Sequence, residues 1–353
     1  MPPSNLSPLP LPALTIGILG CAKIAKQFAR DVHNCSHVSL QAVASRDLNK
    51  AQTFAKDFAI ERTYGSYEEI LKDATLEAIY IPLPNSMHAE WAIRAMQAGK
   101  HVLCEKPLAL NLSEVTRMFE VARQHEVMLL EAYPYWFQPQ TRDLLACLSP
   151  EKIGDVRSMQ ACFGFTLGNP DTNIRLKPDL GGGALLDAGS YPLSLIRLVM
   201  GCAPERVMAH ANWAKTGVDI SMMATLFYAD GRRAQMSCAM DVANHRRATI
   251  VGTHGTVETE YLNHTSDLHT HPWGYLPSQL RIRRGTANSI AFEDIQSATG
   301  SGFRFAAEAF AKAIRTHDMQ AIERAAAASH DIASTLDAIQ SSAKTGQLVN
   351  VRR

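Results

Sequence analysis

The sequence predicts two α/β-type domains in series. The first, over residues 15–132, is a doubly wound parallel α/β unit; the second, over 133–353, is an α+β unit built on an open, mostly antiparallel sheet with helices on one face. Three observations carry this. At 353 residues the chain exceeds what one core ordinarily spans. From Thr15 to Glu131 short apolar runs alternate with stretches of helical period. Beyond Tyr133 the strand-like segments are longer, mixed in polarity and joined by hairpin signals.

In the first half the strands are expected at 15–19, 38–45, 78–81, 101–104 and 127–131. One helix between them is well marked: Asn85 or Ser86 can cap its start, Trp91, Ala95 and Met96 form its apolar stripe, and Gly99 can supply a left-handed stop. Ser113 is expected to cap the next helix. Parallel strands need such crossovers, which are right-handed. In the second half, 156–166 and 218–228 read as strands with one wet face. Asp230-Gly231 marks a hairpin, and a second is expected around 253–256. Alanine-rich helical sequence fills 303–344, broken near 316–319.

Composition narrows the function. Basic residues number 35 and acidic residues 34, so no net field draws the chain to nucleic acid or to an anionic membrane; a small ligand suits it better. No apolar run is long enough to span a bilayer. Seven scattered cysteines without a CxxC pair fit reduced thiols in the cytoplasm. Residues 1–14 hold five prolines and no basic residue, which reads as a flexible tail lacking the charged front of a secretory signal.

The first strand runs into Gly20-Cys21-Ala22-Lys23-Ile24-Ala25, a GxGxxA turn in which Ala22 replaces the middle glycine. Small residues also serve plain strand–helix packing, but at the first strand–helix junction of a βαβ unit this pattern points to a Rossmann dinucleotide site, with a pyrophosphate on the helix N-terminus. About 25 residues further on, where such a fold meets the adenosine ribose, the chain reads Ser45-Arg46-Asp47, with Lys50 one turn later. An acidic residue there would accept from a free 2′-hydroxyl, whereas Ser45, Arg46 and Lys50 suit a 2′-phosphate. NADP is therefore expected and NAD is the weaker choice. Glu105-Lys106-Pro107 ends a buried strand at the ligand-binding edge of the sheet; by spacing alone a lysine there usually snorkels to the surface. Further on, Asp187 and Tyr191 follow three glycines at a spacing of four, so on a helix both share one face. A carboxylate beside a phenol can orient substrate hydroxyls while the phenol exchanges a proton, and a buried Asp187 would call for a hydroxyl partner.

Taken together, the glycine turn, Leu83-Pro84-Asn85 with His88, Ala98-Gly99-Lys100-His101-Val102, Glu105-Lys106-Pro107 and the run from Leu180 to Pro192 resemble the glucose-fructose oxidoreductase/inositol dehydrogenase family (Gfo/Idh/MocA). The closest likeness is to its NADP-linked sugar dehydrogenases, dimeric dihydrodiol dehydrogenases and nucleotide-sugar ketoreductases. The resemblance implies hydride transfer between a nicotinamide and a hydroxyl- or carbonyl-bearing carbon of a sugar-like ring. Lys106 and Tyr191 would flank the reacting carbon, with Asp187 holding a neighbouring hydroxyl. It extends the cofactor contacts from Gly20, Ala22, Lys23 and Ile24 to Leu83, Pro84, Asn85, His88, Glu105 and Lys106. Where relatives often carry arginine this chain has Trp136, able either to stack on a substrate ring or to pack in the core. Asn173 and Arg175 are possible substrate contacts. The resemblance also implies a homodimer or homotetramer through the second sheet. A trans-dihydrodiol, a nucleotide-linked keto-sugar, or a non-catalytic dinucleotide-binding regulator are the alternatives. No metal is expected: His264, His269 and His271 lie in loop-like sequence without helical spacing or cysteine.

Overall fold

A computed structural model describes residues 12–169, 172–266 and 276–352. The first half alternates strand and helix as its periodicity requires: β1 (Leu14–Leu19), α1 (Lys23–Val32), β2 (Val38–Ala44), α2 (Leu48–Phe58), β3 (Arg62–Tyr64), α3 (Tyr67–Leu71), β4 (Ala78–Ile81), α4 (His88–Gln97), β5 (His101–Glu105), α5 (Leu112–Gln124) and β6 (Leu129–Ala132). The six strands pair in parallel in the order β3-β2-β1-β4-β5-β6, so the order reverses between β1 and β4 and leaves a crevice at the strands' C-terminal ends. Both faces of the sheet are buried, one under Phe28, Phe54 and Phe303, the other under Trp91, Met118 and Phe119.

Two capping expectations are corrected. Asn111, not Ser113, caps α5 by accepting from the Glu114 amide at 3.0 Å; the helix begins at Leu112, so Ser113 already sits in its first turn. A 3₁₀ turn, Asn85–Met87, precedes α4, and Asn85 spends its side chain elsewhere. Gly99 takes the expected left-handed stop, at φ 73°. The three-residue β3 carried no sequence signal of its own.

The second half continues with α6 (Pro139–Cys147), α7 (Pro150–Ile153), β7 (Val156–Thr166), α8 (Ser190–Met200), β8 (Arg206–Trp213), β9 (Asp219–Phe227), β10 (Arg233–Ala239), β11 (Asp241–Gly252), β12 (Gly255–Glu260), β13 (His264–Thr265), β14 (Leu280–Arg284), β15 (Glu293–Asp294), β16 (Gly300–Ser301), α9 (Gly302–Thr316), α10 (Met319–Thr345) and β17 (Val349–Asn350). Nine of these strands form a sheet in the order β15-β14-β12-β11-β7-β10-β9-β8-β17. It is antiparallel except where β10 meets β7. Both expected hairpins are present, the first turning at Gly231 (φ 83°). Alternation along β8, β9 and β10 sends Val207, Met222, Leu226 and Met236 inward beneath α8 and α10, while Met208 and Met223 stand on the open face.

After the second sheet the chain returns to the first: Phe303 and Phe310 of α9 join the core around Phe28 and Tyr80, whose rings stack at 3.9 Å. Arg315 then binds the carbonyls of Pro12 and Ala13 at 3.0 and 3.1 Å, and Leu14 opens β1. Of the tail expected over 1–14, residues 1–11 lie outside the described residues. No helix of the described residues is long and apolar enough to cross a membrane.

Candidate active site

A cavity of about 540 Å³ lies between the C-terminal edge of the parallel sheet and the second sheet. Its floor comes from the first half: Ala22, Lys23 and Ile24 at the start of α1, Leu83, Pro84, Asn85 and His88 after β4, and Glu105 and Lys106 at the end of β5. The opposite wall is Phe163, Phe165, Ile174, Arg175, Asp187 and Tyr191. Asn85 ties the two together by donating to the Gly181 carbonyl at 2.8 Å. Gly181 must be glycine, at φ +74° and with any Cβ driven to 2.4 Å from Leu110.

The floor fits a dinucleotide. The start of α1 has no side-chain cap and no acidic residue in its first turn, so its amides are open to an anion. Gly20 turns at φ +109°, and a Cβ there would press to 2.9 Å from Leu83. Gly20, Ser45, Arg46 and Lys50 sit at the same sheet edge, outside the lining of this cavity. Ser45 is buried and accepts from the Asp47 amide at 3.2 Å. Asp47 caps α2 through the amides of Asn49 and Lys50, which leaves the cations facing outward without it. The Cys21 thiol reports the local field: burial raises its pKa, while Ser45, Lys26 and Lys50 pull against that.

His88 works from behind the floor. Its Nδ1 and Nε2 lie 2.8 Å from the carbonyl oxygens of Pro107 and Leu83, clamping the loops after β5 and β4 together. Each contact needs a donating N–H, so satisfying both requires the protonated ring; burial pushes the other way and lowers its pKa. Behind the same loops Glu105 accepts from Tyr80 at 2.6 Å, and Glu131 accepts from Ser329 at 2.6 Å and from the Leu108 amide at 3.0 Å. Burial drives the Glu131 pKa up to about 7.

Lys106 does not snorkel. Its Nζ turns across the cavity and donates to the Asp187 carbonyl at 2.7 Å and to Asp187 Oδ1 at 3.2 Å. The other carboxylate oxygen, Oδ2, accepts from Arg175 Nε at 2.5 Å. Burial works against the charge on Lys106, but Asp187, Tyr191 and Glu105 outweigh it and hold its pKa above the ordinary value. Burial likewise opposes ionised Asp187, but Lys106 and Arg175 hold its pKa down. The expectation that Asp187 needs a substrate hydroxyl to offset its burial is thereby corrected, because two cations already do so. Asp187 lies in a π-helical turn, Leu185–Gly189, that runs straight into α8, and both it and Tyr191 face the cavity. Lys106 Nζ is 4.7 Å from the centre of the Tyr191 ring, and Asn263 Nδ2 donates to the Tyr191 hydroxyl at 3.1 Å.

Several expected residues fall elsewhere. Trp136 does not line this cavity: the 3₁₀ turn Pro134–Phe137 lays it on Tyr133, ring centres 5.1 Å apart, with its Nε1 donating to the Tyr135 hydroxyl at 2.7 Å. Asn173 serves its own loop, accepting from the Arg175 amide and donating to the Gly168 carbonyl. His264 sits in β13 with Nδ1 3.6 Å from Asp31, while His269 and His271 lie outside the described residues. Among the described residues Cys35, His37 and Glu308 are close enough to share a metal, but they lie at the opposite end of the parallel sheet. The residue that sequence reasoning missed is Arg246, half-buried against the Tyr191 ring. Its phase on β11, two and four residues from buried Ala248 and Ile250, placed it on the core face.

With this geometry in view, the likeness to known proteins is specific. Residues 14–133 match the profile of an oxidoreductase family with an NAD-binding Rossmann fold, and residues 141–258 match the GFO/IDH/MocA C-terminal domain. The chain is 33% identical over 339 residues to a D-xylose 1-dehydrogenase (NADP(+)) of Haloferax volcanii, covering 96% of this chain and all of that one. It is 37% identical over 245 residues to a trans-1,2-dihydrobenzene-1,2-diol dehydrogenase of Xenopus tropicalis, covering 69% of this chain and 74% of that one. Its structure superposes with a TM-score of 0.82 and 29% identity on the 3-ketoreductase KijD10 of Actinomadura kijaniata, solved with NADP and TDP-benzene, over 94% of this chain and 98% of that one. The chain belongs to the Gfo/Idh/MocA oxidoreductase family.

Proposed function

We propose that this protein is an NADP-dependent dehydrogenase or reductase acting on a hydroxyl- or carbonyl-bearing carbon of a sugar or sugar-like ring. The observation that carries the reading is the convergence of Lys106, from the floor, and Tyr191, from the opposite wall, across a cavity whose floor includes an open helix N-terminus. The relatives named above, acting on a pentose, a cyclic diol and a nucleotide-linked keto-sugar, support it. Bound at that floor, the nicotinamide would supply the hydride acceptor or donor. Ser45, Arg46 and Lys50 would hold the 2′-phosphate. Tyr191 would exchange a proton with the reacting oxygen, its hydroxyl aimed by Asn263. Lys106, fixed by two bonds to Asp187, keeps a third N–H for the same oxygen. Phe163 and Phe165 offer an apolar wall of two tilted rings, which suits one face of a pyranose and equally a cyclic diol.

The test is a screen of aldoses, inositols and dihydrodiols with NADP, followed by absorbance of the reduced coenzyme. Lys106→Ala and Tyr191→Phe should each cut turnover roughly 10²–10⁴-fold while coenzyme affinity stays within several-fold. Turnover retained in both variants removes the pair from the mechanism. Better use of ethanol or small 2-hydroxy acids than of any ring overturns the substrate class. A cytoplasmic homodimer or homotetramer completes the proposal; the open face of the second sheet, with Met208 and Met223 exposed, is the contact it favours.

A further inference from the structure

Arg246 projects from β11 into the core of the second half, where its guanidinium carbon lies 4.0 Å from the centre of the Tyr191 ring, 4.8 Å from Tyr261, 4.9 Å from Phe163 and 5.3 Å from Tyr135. Its Nη2 donates to Asn263 Oδ1 at 3.3 Å, and the same Asn263 donates to the Tyr191 hydroxyl at 3.1 Å. Its Nε is buried without a hydrogen-bond partner, and among the described residues no carboxylate pairs with it. Arg246 as a whole is half-buried; desolvating its Nε without an anion is costly, and aromatic faces return only part of that cost. Arginine does not shed its proton to escape. An anion forming beside it would meet a positive charge already in place.

The charges around Tyr191 single out where that anion forms. Lys106 faces it from the end of β5 and is bonded to Asp187, whose single carboxylate it shares with Arg175. Glu105 and Tyr80 lie behind Lys106, bonded to each other. Tyr133 and Tyr135 from the turn after β6, and Tyr261 after β12, contribute uncharged phenols. Among the described residues Arg246 is the cation against the ring that no carboxylate bonds.

We infer that Arg246 is a positioning residue for proton transfer: it is the resident counter-ion of the Tyr191 phenolate, acting through the ring face and through Asn263. This rests on the reading of Tyr191 given above. In the oxidative direction the substrate O–H bond breaks, its proton passes to the phenolate oxygen, and a C=O bond forms as the hydride leaves the carbon for oxidised NADP. The phenol then loses its proton to solvent, and the guanidinium keeps its charge throughout.

The experiment has two arms. Tyrosinate ultraviolet absorbance is titrated against pH in the parent, Tyr191→Phe, Arg246→Met, Arg246→Gln and Arg246→Lys proteins, with circular dichroism to confirm folding. The step that Tyr191→Phe removes should move upward by about one to three pH units in the Met and Gln variants and largely return in the Lys variant, since a nearby opposite charge is worth that much. The second arm is the pH dependence of kcat/KM with NADP and D-xylose, or the best ring found by the screen. At neutral pH it should fall on the order of 10- to 10³-fold in the neutral variants and recover as pH rises. A Tyr191 step that coincides in parent, Met and Gln proteins overturns the inference. A shifted step in a chain that oxidises no ring upholds it and sinks the proposed substrate instead. If the Met variant does not fold, the Gln variant, equally uncharged but polar, decides.

Discussion

Coenzyme choice offers the most direct test of the sheet edge, through the double substitution Ser45→Asp with Arg46→Ile. In the structure β2 ends at Ala44, Ser45 follows with its amide on the Tyr64 carbonyl at 3.1 Å, and Arg46 and Lys50 are exposed beside it. Asp47, the acidic residue nearest the expected ribose, is committed to the α2 cap, its Oδ1 3.0 Å from the Asn49 amide and 3.4 Å from that of Lys50. Its charge works against a phosphate placed against Ser45 and Arg46, but the positive end of its own helix offsets part of that. A charge-assisted bond to phosphate contributes about 1.5–3 kcal/mol, and exposure of Arg46 places it at the lower end. At about 1.4 kcal/mol per tenfold, the parent should prefer NADP over NAD by roughly 10- to 100-fold. The double variant loses those donors and gains a carboxylate that repels a phosphate and accepts from free ribose hydroxyls, so its preference should reverse. The assay is kcat/KM for each coenzyme with one fixed substrate. Equal use of both coenzymes by the parent, or an unchanged ratio in the variant, refutes the reasoning.

Two further outcomes follow from the geometry. Glu131, whose pKa burial raises from 4.5 to about 7, binds its proton more tightly in the folded state than in the unfolded. Its contribution to stability is therefore complete below about pH 4.5 and is lost as pH rises through about 7, which at about 1.4 kcal/mol per pH unit amounts to about 3 kcal/mol. Glu131→Gln should flatten that decline, read as Tm between pH 5 and 8; parallel Tm profiles for parent and variant contradict it. Trp136→Phe should cost about 1–2 kcal/mol in denaturant unfolding, from the lost bond to Tyr135 and lost packing, yet leave kcat/KM within a few-fold. A drop of a hundredfold or more in kcat/KM would place Trp136 in the site after all.

What the sequence disclosed and what it hid divide along physical lines. Parallel strands buried on both faces announce themselves as apolar runs, so β1, β2, β4 and β5 were legible almost to the residue, and β7 likewise from its length and turns. Lys106 and Tyr191 were named from motif resemblance rather than from spacing, which by itself favoured a snorkelling lysine. Contacts far apart in the chain left no such trace. Nothing local to Asp187 says that Lys106, 81 residues earlier, and Arg175 will share its carboxylate. Nothing local to Phe303 says that α9 will leave the second sheet and pack on the first. Trp136 was ambiguous for the opposite reason: its neighbours Tyr133 and Tyr135 are as apt to stack with it as any ligand, and the 3₁₀ turn decides the matter. Arg246 is the instructive omission, since its inward phase on β11 was readable, and an arginine on a core face is a question about what anion it awaits.

The same division explains why the site sits at the seam. A parallel sheet supplies amides at its carboxyl edge, and here the side chains of Lys106 and Asn85 reach from that edge to the second half. It can be held there because the loop that carries it is clamped from behind, by His88 on the Leu83 and Pro107 carbonyls and by Glu131 on the Leu108 amide. The second half supplies what the first lacks, an aromatic layer in which Tyr191 of α8 is bonded by Asn263 and faces both cations, Lys106 bonded to Asp187 and Arg246 without a carboxylate. Positioning a proton donor to within a few tenths of an ångström demands elements that do not move relative to one another. The Asn85 bond to Gly181 and the return of α9 to the first core tie the two halves together across that seam.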